Sequence, residues 1–143
     1  MITSAICTRS NYFEITDETA FRSIINDVCM RGSGHTLDVL TRVDDDNITK
    51  YAITAATSIL GINISNNEKP NYDFSEFVKR LQSVVSPDDA IIICSMGYDL
   101  PYYADSKCDI ITSTTWTSES LLTFAEKKAG ICLNNPNWTT KFR

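Results

Sequence analysis

The chain has 143 residues, 43% of them hydrophobic and 22% charged, with only five Gly and four Pro. That composition excludes a disordered or linker-like chain and describes one globular domain able to bury roughly two-thirds of its unfolded surface. A formal net charge of −5 lacks the basic footprint of a protein that grips phosphate backbones, and suits either plain solubility or a basic partner, including a protein surface built for nucleic acid.

Residues 1 to 11 are polar and mixed, and Tyr12 to Ile15 has the make-up of a short strand. Thr16 and Asp17 are good helix N-caps, and Ala20, Phe21, Ile24, Ile25, Val28 and Cys29 recur behind them at helical spacing, which predicts a helix over 17–31 that Gly32 and Gly34 end. Glu18 in the first turn and Arg31 in the last suit the helix dipole. A hairpin follows: His35 to Val43, a turn at Asp44-Asp45-Asp46-Asn47, and a return over Ile48 to Ala56. Ser58 to Ser65 reads as an extension of that strand past Gly61, and Asn66 to Asn71 as a loop.

Asp73 or Phe74 opens a second helix with a stripe of Phe74, Phe77, Val78, Leu81, Val84 and Val85, stopped by Ser86-Pro87. Ala90-Ile91-Ile92-Ile93-Cys94 is the longest unbroken apolar run, and predicts a central strand over 90–96 covered on both faces. A Tyr-rich loop from Tyr98 to Asp105 then precedes a strand over Lys107 to Thr114. Thr117 or Ser118 caps a third helix carrying Leu121, Leu122, Phe124 and Ala125, with Gly130 just past its end. Ile131 to Leu133 reads as a short extended piece, and the tail with Trp138 and Phe142 as docked on the body.

The fold class is therefore α+β: a mainly antiparallel sheet of four to five strands with three helices packed on it. The order helix-strand-strand, helix-strand-strand, helix suits either a duplicated unit or the common rhythm of a small α+β protein.

Catalytic signatures are missing. There is no glycine-rich phosphate loop, no Gly-x-Ser-x-Gly elbow and no metal-binding histidine pair, and the single histidine is His35. Cys7, Cys29, Cys94, Cys108 and Cys132 are odd in number and form no Cys-x-x-Cys, so they read as small buried hydrophobes of a reducing compartment. A nucleophile would need Cys94 with His35, and the neighbours of Cys94 predict a buried, inert thiol. The N-terminus lacks a charged start followed by an apolar stretch, and no segment reaches the roughly 20 apolar residues of a membrane span; a cytoplasmic protein is the expectation. The Asn-x-Ser/Thr triplets at Asn47, Asn63 and Asn137 are then chance matches.

Two surface features remain as contact candidates. The hairpin tip Asp44-Asp45-Asp46 lacks the central Gly and distal Glu of a calcium loop, and reads either as a solvated turn or as a charged finger for Lys or Arg on a partner. The loop with Tyr98, Asp99, Tyr102, Tyr103 and Asp105 offers aromatic area with hydroxyls, or else lays its rings on the core.

Tyr12 to Phe21, the Asp-rich hairpin, Asp88 to Ile93 and the ending Asn135-Pro136-Asn137-Trp138-Thr139-Thr140-Lys141 resemble small acidic proteins of phages and mobile elements in Firmicutes. The resemblance implies an inhibitor of host defence, of the anti-CRISPR or antirestriction kind. It carries over no site residue, and at −5 the chain is less acidic than most wholesale DNA mimics. The expectation is a non-enzymatic protein without metal or cofactor. It would block a larger host protein through that protein's basic nucleic-acid-binding surface, and would not itself bind nucleic acid or membrane. The alternatives are an immunity protein for a cognate toxin, or a small enzyme acting on a small molecule through Cys94, His35 and a nearby Asp.

Overall fold

The computed structural model describes residues 4–31, 37–55, 74–99 and 103–139, with the backbone alone described at 4–6, 28–31, 97–99 and 103–105. The elements in chain order are β1 (Ser4–Ser10), α1 (Glu18–Arg31), β2 (Asp38–Val43), β3 (Thr49–Ala55), α2 (Phe74–Gln82), β4 (Ile91–Asp99), β5 (Tyr103–Ile111), β6 (Trp116–Ser120) and α3 (Leu121–Cys132). The strands form one six-stranded sheet in the order β2-β3-β1-β4-β5-β6, antiparallel throughout. The α+β class is as expected, and the sheet is larger because β1 and β6 belong to it. The expected segments over 58–65 and 66–71 lie outside the described residues.

β1 is the main correction. Residues 4–10 look polar, yet they run between β3 and β4, with Arg9 opposite both Thr54 and Cys94. The strand tolerates burial because its inward polar groups are bonded. Thr8 Oγ1 meets Ser95 Oγ at 3.3 Å, and Ser10 Oγ accepts from Ile53 N at 2.7 Å while donating to Asn11 O at 2.8 Å. The strand expected over 12–15 reduces to two isolated bridges, Phe13 with Tyr51 and Ile15 with Val85.

α1 starts as its residues dictate, with the Asp17 carboxylate accepting from Ala20 N at 3.1 Å. Its Phe21, Ile24 and Ile25 are buried, as are Phe74, Phe77, Val78 and Leu81 of α2 and the following Val84 and Val85. Together with Phe13, Tyr51, Ile53, Ile91, Ile93 and Ile111 they form one core on one face of the sheet. Phe21 packs edge-on to Phe13 at 5.7 Å between ring centroids, and Arg80 of α2 pairs with Asp27 of α1.

β4 is covered on one face only. Ile91 and Ile93 are buried, but Ile92 is 37% and Met96 56% exposed. The apolar run misleads because α1 and α2 cover the Ile91 face, whereas α3 packs chiefly against β5 and β6.

The C-terminal part also differs from expectation. Trp116 to Ser120 form an edge strand rather than the start of a helix, and Ser120, not Thr117 or Ser118, caps α3 by accepting from Thr123 N at 3.1 Å. Ile131 and Cys132 complete the helix instead of forming an extended piece, and Gly130 lies inside it. The tail turn docks there, with Asn135 N donating to Gly130 O at 2.8 Å. The two helix-hairpin units occur in order but are not packed alike. The first places its second strand, β3, beside β1, and the second places its first strand, β4, there; Ile53 is buried while its counterpart Ile110 is exposed.

Candidate functional site

The β2–β3 turn divides its three carboxylates. Asp44 holds the turn: its Oδ1 accepts from Asp46 N and Ile48 N, both at 3.0 Å, and its Oδ2 lies 3.8 Å from Lys50 Nζ. Asn47 takes the left-handed conformation (φ 60°) that closes the turn, one of the few residue types suited to it. Asp45 and Asp46 are exposed at the tip, flanked by exposed Val43 and Ile48. Of the acidic finger read from the sequence, two residues remain for a partner and one is structural.

The Tyr-rich segment is mostly sheet rather than loop. Tyr98 and Asp99 end β4, and Tyr103 and Asp105 begin β5. In the ladder Asp99 faces Tyr103, Tyr98 faces Ala104 and Gly97 faces Asp105. Tyr102 lies outside the described residues, as do the side chains of the other four. Extended backbone continues here because a hairpin ladder propagates to its turn once the strands are in register.

The two candidate features sit at opposite ends of the sheet. The route from Thr49 beside the acidic turn runs down β3 to Ala55, across to Thr8 and Ser95, and on down β4 to Asp99. That is about ten residue steps of about 3.3 Å, or roughly 30 Å. They are two patches, not one.

Between them lies a feature the sequence reading missed, the sheet face without α1 and α2. Ile92 is directly opposite Ile110, and Cys94 directly opposite Cys108; with Met96 they form a continuous strip whose isoleucines and methionine are exposed. Toward β2 the same face turns basic. Arg9 lies opposite Cys94, and the guanidiniums of Arg9 and Arg42 lie 5.6 and 4.9 Å from the centre of the Tyr12 ring. Toward β6, Glu119 lies opposite Cys108 and accepts from Lys127 of α3 at 2.9 Å.

The cysteines are not the uniformly buried hydrophobes expected. Cys7 and Cys132 are exposed, Cys94 and Cys108 half-buried, and the side chain of Cys29 is not described. Cys94 and Cys108 approach to 2.9 Å between sulfurs. Burial first, then the Cys94 contact and the Asp109 charge, push the Cys108 thiol up from 9.0 to about 11. A signal for this pair was present: the two cysteines are equidistant from Pro101 in the sequence, a symmetry shared by the Asp99–Tyr103 pair of the same ladder.

His35, the proposed partner of Cys94 in an enzyme, lies outside the described residues. Among the described residues, no three His, Cys, Asp or Glu side chains converge as a metal cluster would require, and no helix is long and apolar enough to cross a membrane. No family model matches the sequence, and no curated protein or solved structure matches the chain.

Proposed function

We propose that the chain is a non-enzymatic binding protein that acts by occluding a larger partner. Asp45 and Asp46 at the β2–β3 tip meet a basic surface of that partner, and the strip of Ile92, Ile110 and Met96 supplies apolar contact area. The strip is the observation that carries the reading. A contiguous exposed apolar band in a domain with a well-filled core is the signature of a protein-contact surface, and interfaces combine an apolar centre with a charged rim. The tip would contribute mainly to steering and selectivity.

The resemblance to phage and mobile-element proteins gives this reading its concrete form. It is a counter-defence inhibitor, of anti-CRISPR or antirestriction type, seated in the bacterial cytoplasm on a host nucleoprotein's nucleic-acid-binding surface. Tyr98, Asp99, Tyr102, Tyr103 and Asp105 join the same interface only if the partner spans the length of the sheet.

The test is affinity capture of the tagged protein from a lysate of a CRISPR-bearing, restriction-proficient host, with and without added nucleic acid. Stoichiometric recovery of a nucleoprotein subunit, abolished by pre-bound nucleic acid, supports occlusion. Recovery that nucleic acid does not affect rules out that surface, and recovery of a toxin moves the reading to an immunity protein.

A further inference from the structure

We propose that Cys94 and Cys108 are a redox-active cross-strand dithiol, a modification site that a peroxide converts to an intramolecular disulfide. The geometry is set by the backbone. Cys94 of β4 and Cys108 of β5 are direct antiparallel partners, so their Cα atoms are separated by the roughly 4.5 to 5.5 Å of such pairs, inside the range a disulfide spans. Their sulfurs already touch, at 2.9 Å. Both are half-buried on the face that α1 and α2 leave open, so a small oxidant reaches them without unfolding the core.

The row across this face runs Thr54, Arg9, Cys94, Cys108, Glu119. A cation therefore neighbours Cys94, and carboxylates, Glu119 and the adjoining Asp109, neighbour Cys108. Burial, the Cys94 contact and the Asp109 charge raise the Cys108 thiol, so the first attack is assigned to Cys94. Cys94 Sγ, losing its proton, attacks one peroxide oxygen of ROOH. The O–O bond breaks, ROH leaves after taking a proton, and Cys94 becomes a sulfenic acid. Cys108 Sγ, losing its proton, then attacks the Cys94 sulfur and displaces water. The sum is two thiols and ROOH giving one disulfide, ROH and H2O, with two electrons passing from the sulfurs to the peroxide. Bonds of this cross-strand, partly exposed kind belong to the reducible class rather than the inert structural one, so a thiol reductant reverses the change.

Among the described thiols, two others compete. Cys7, exposed, lies opposite Met96 on the same face, a diagonal neighbour of Cys94. Cys132, also exposed, ends α3. The proposal requires oxidation to choose the facing pair over the more accessible thiols.

The experiment uses the full reduced chain and stoichiometric hydrogen peroxide, followed by acid quench, alkylation in denaturant and mass spectrometry. Trypsin cuts after Lys107, between the two cysteines, so their disulfide appears as peptide 81–107 joined to peptide 108–127. The expected result is an intact mass short by two hydrogens, that linked peptide, Cys7 and Cys132 still alkylatable, and recovery of both thiols with dithiothreitol. The Cys7→Ser/Cys132→Ser variant forms the same link at an unchanged rate. In Cys108→Ser, Cys94 stops at a sulfenic acid trapped by a cyclic diketone. A link from Cys94 to Cys7, a disulfide-linked dimer, or oxidation of Cys7 or Cys132 while the pair stays reduced overturns the proposal. The wild-type mapping needs no variant to fold.

Discussion

Trp116 Nε1 donates to Asp109 Oδ1 at 3.0 Å, and Asp109 is only 2% exposed. Lys107 Nζ stands 3.9 Å from the same oxygen, and the Trp116 ring meets Phe74 edge-on at 5.8 Å. The edge strand β6 is thus held to the sheet by a polar contact under an aromatic cover. Trp116→Phe keeps a ring against Phe74 but removes the donor together with part of the indole's contact area, leaving a buried carboxylate oxygen short of a partner. The expected cost is roughly 1 to 3 kcal/mol, read as a lower urea midpoint at unchanged slope. An unchanged midpoint would show that Lys107 alone satisfies Asp109.

The sequence made some of this legible and concealed the rest for physical reasons. Asp17, the stripe of Phe74, Phe77, Val78 and Leu81, and the turn at Asp44 to Asn47 are local signals, set by capping, helical period and turn chemistry, and they placed two helices and a hairpin closely. β1 and β6 escaped because their character is not local. Thr8 and Ser10 look like loop residues until Ser95 and Ile53 N are brought beside them. Ser118-Glu119-Ser120 looks like a helix cap because Ser120 is one; the strand before it exists only through pairing with β5. The Ile92 side of β4 was misjudged for a related cause: an apolar run reports that a strand is central but not which face the helices choose. At the candidate site, the tip was visible in composition, whereas the Cys94–Cys108 pair needed the hairpin centre to be known.

Gly130 supports a second stability prediction. A Cβ there would stand 2.8 Å from Asn135 O, a backbone atom that also accepts from Trp138 N at 3.1 Å. On helix propensity alone, Gly130→Ala should stabilise α3 by about 1 kcal/mol. The close approach reverses the sign, because the tail turn must shift and its bond to Gly130 O is lost. A net loss of roughly 1 to 2 kcal/mol is expected from such overpacking, measured by thermal or urea unfolding. A gain in stability would mean that the turn moves away freely.

Stability should fall on the alkaline side. Cys108 is raised from 9.0 to about 11 by burial, Cys94 and Asp109. Tyr51 is raised from 10.0 by burial and by Glu18, against the opposing Arg22 charge. Above each unfolded value the unfolded chain releases a proton that the folded chain keeps, so unfolding becomes more favourable as pH rises. The reduced protein is therefore expected to lose stability from about pH 9 toward 11. Cys108→Ser should remove the lower part of that fall, and Tyr51→Phe the upper part. A flat profile over this window in the reduced wild type would contradict both assignments.

The hairpin tip separates a structural carboxylate from two contact carboxylates. Asp44→Ala removes the acceptor for Asp46 N and Ile48 N and the partner of Lys50, and should cost about 1 kcal/mol, as the loss of a capping side chain does. Asp45→Lys/Asp46→Lys touches no bond that shapes the turn and should leave stability within about 0.5 kcal/mol. Binding should respond in the opposite order. If a basic partner surface is steered by Asp45 and Asp46, the double variant slows association and flattens its salt dependence, while dissociation changes little. Met96→Glu, at one end of the apolar strip and its most exposed member, should act mainly on dissociation, because it places a charge within the apolar contact area. Surface plasmon resonance against the captured partner at two ionic strengths distinguishes the two. Unchanged kinetics in the Lys variant with weakened binding in Met96→Glu would leave the strip as the interface and return the acidic tip to plain solubility.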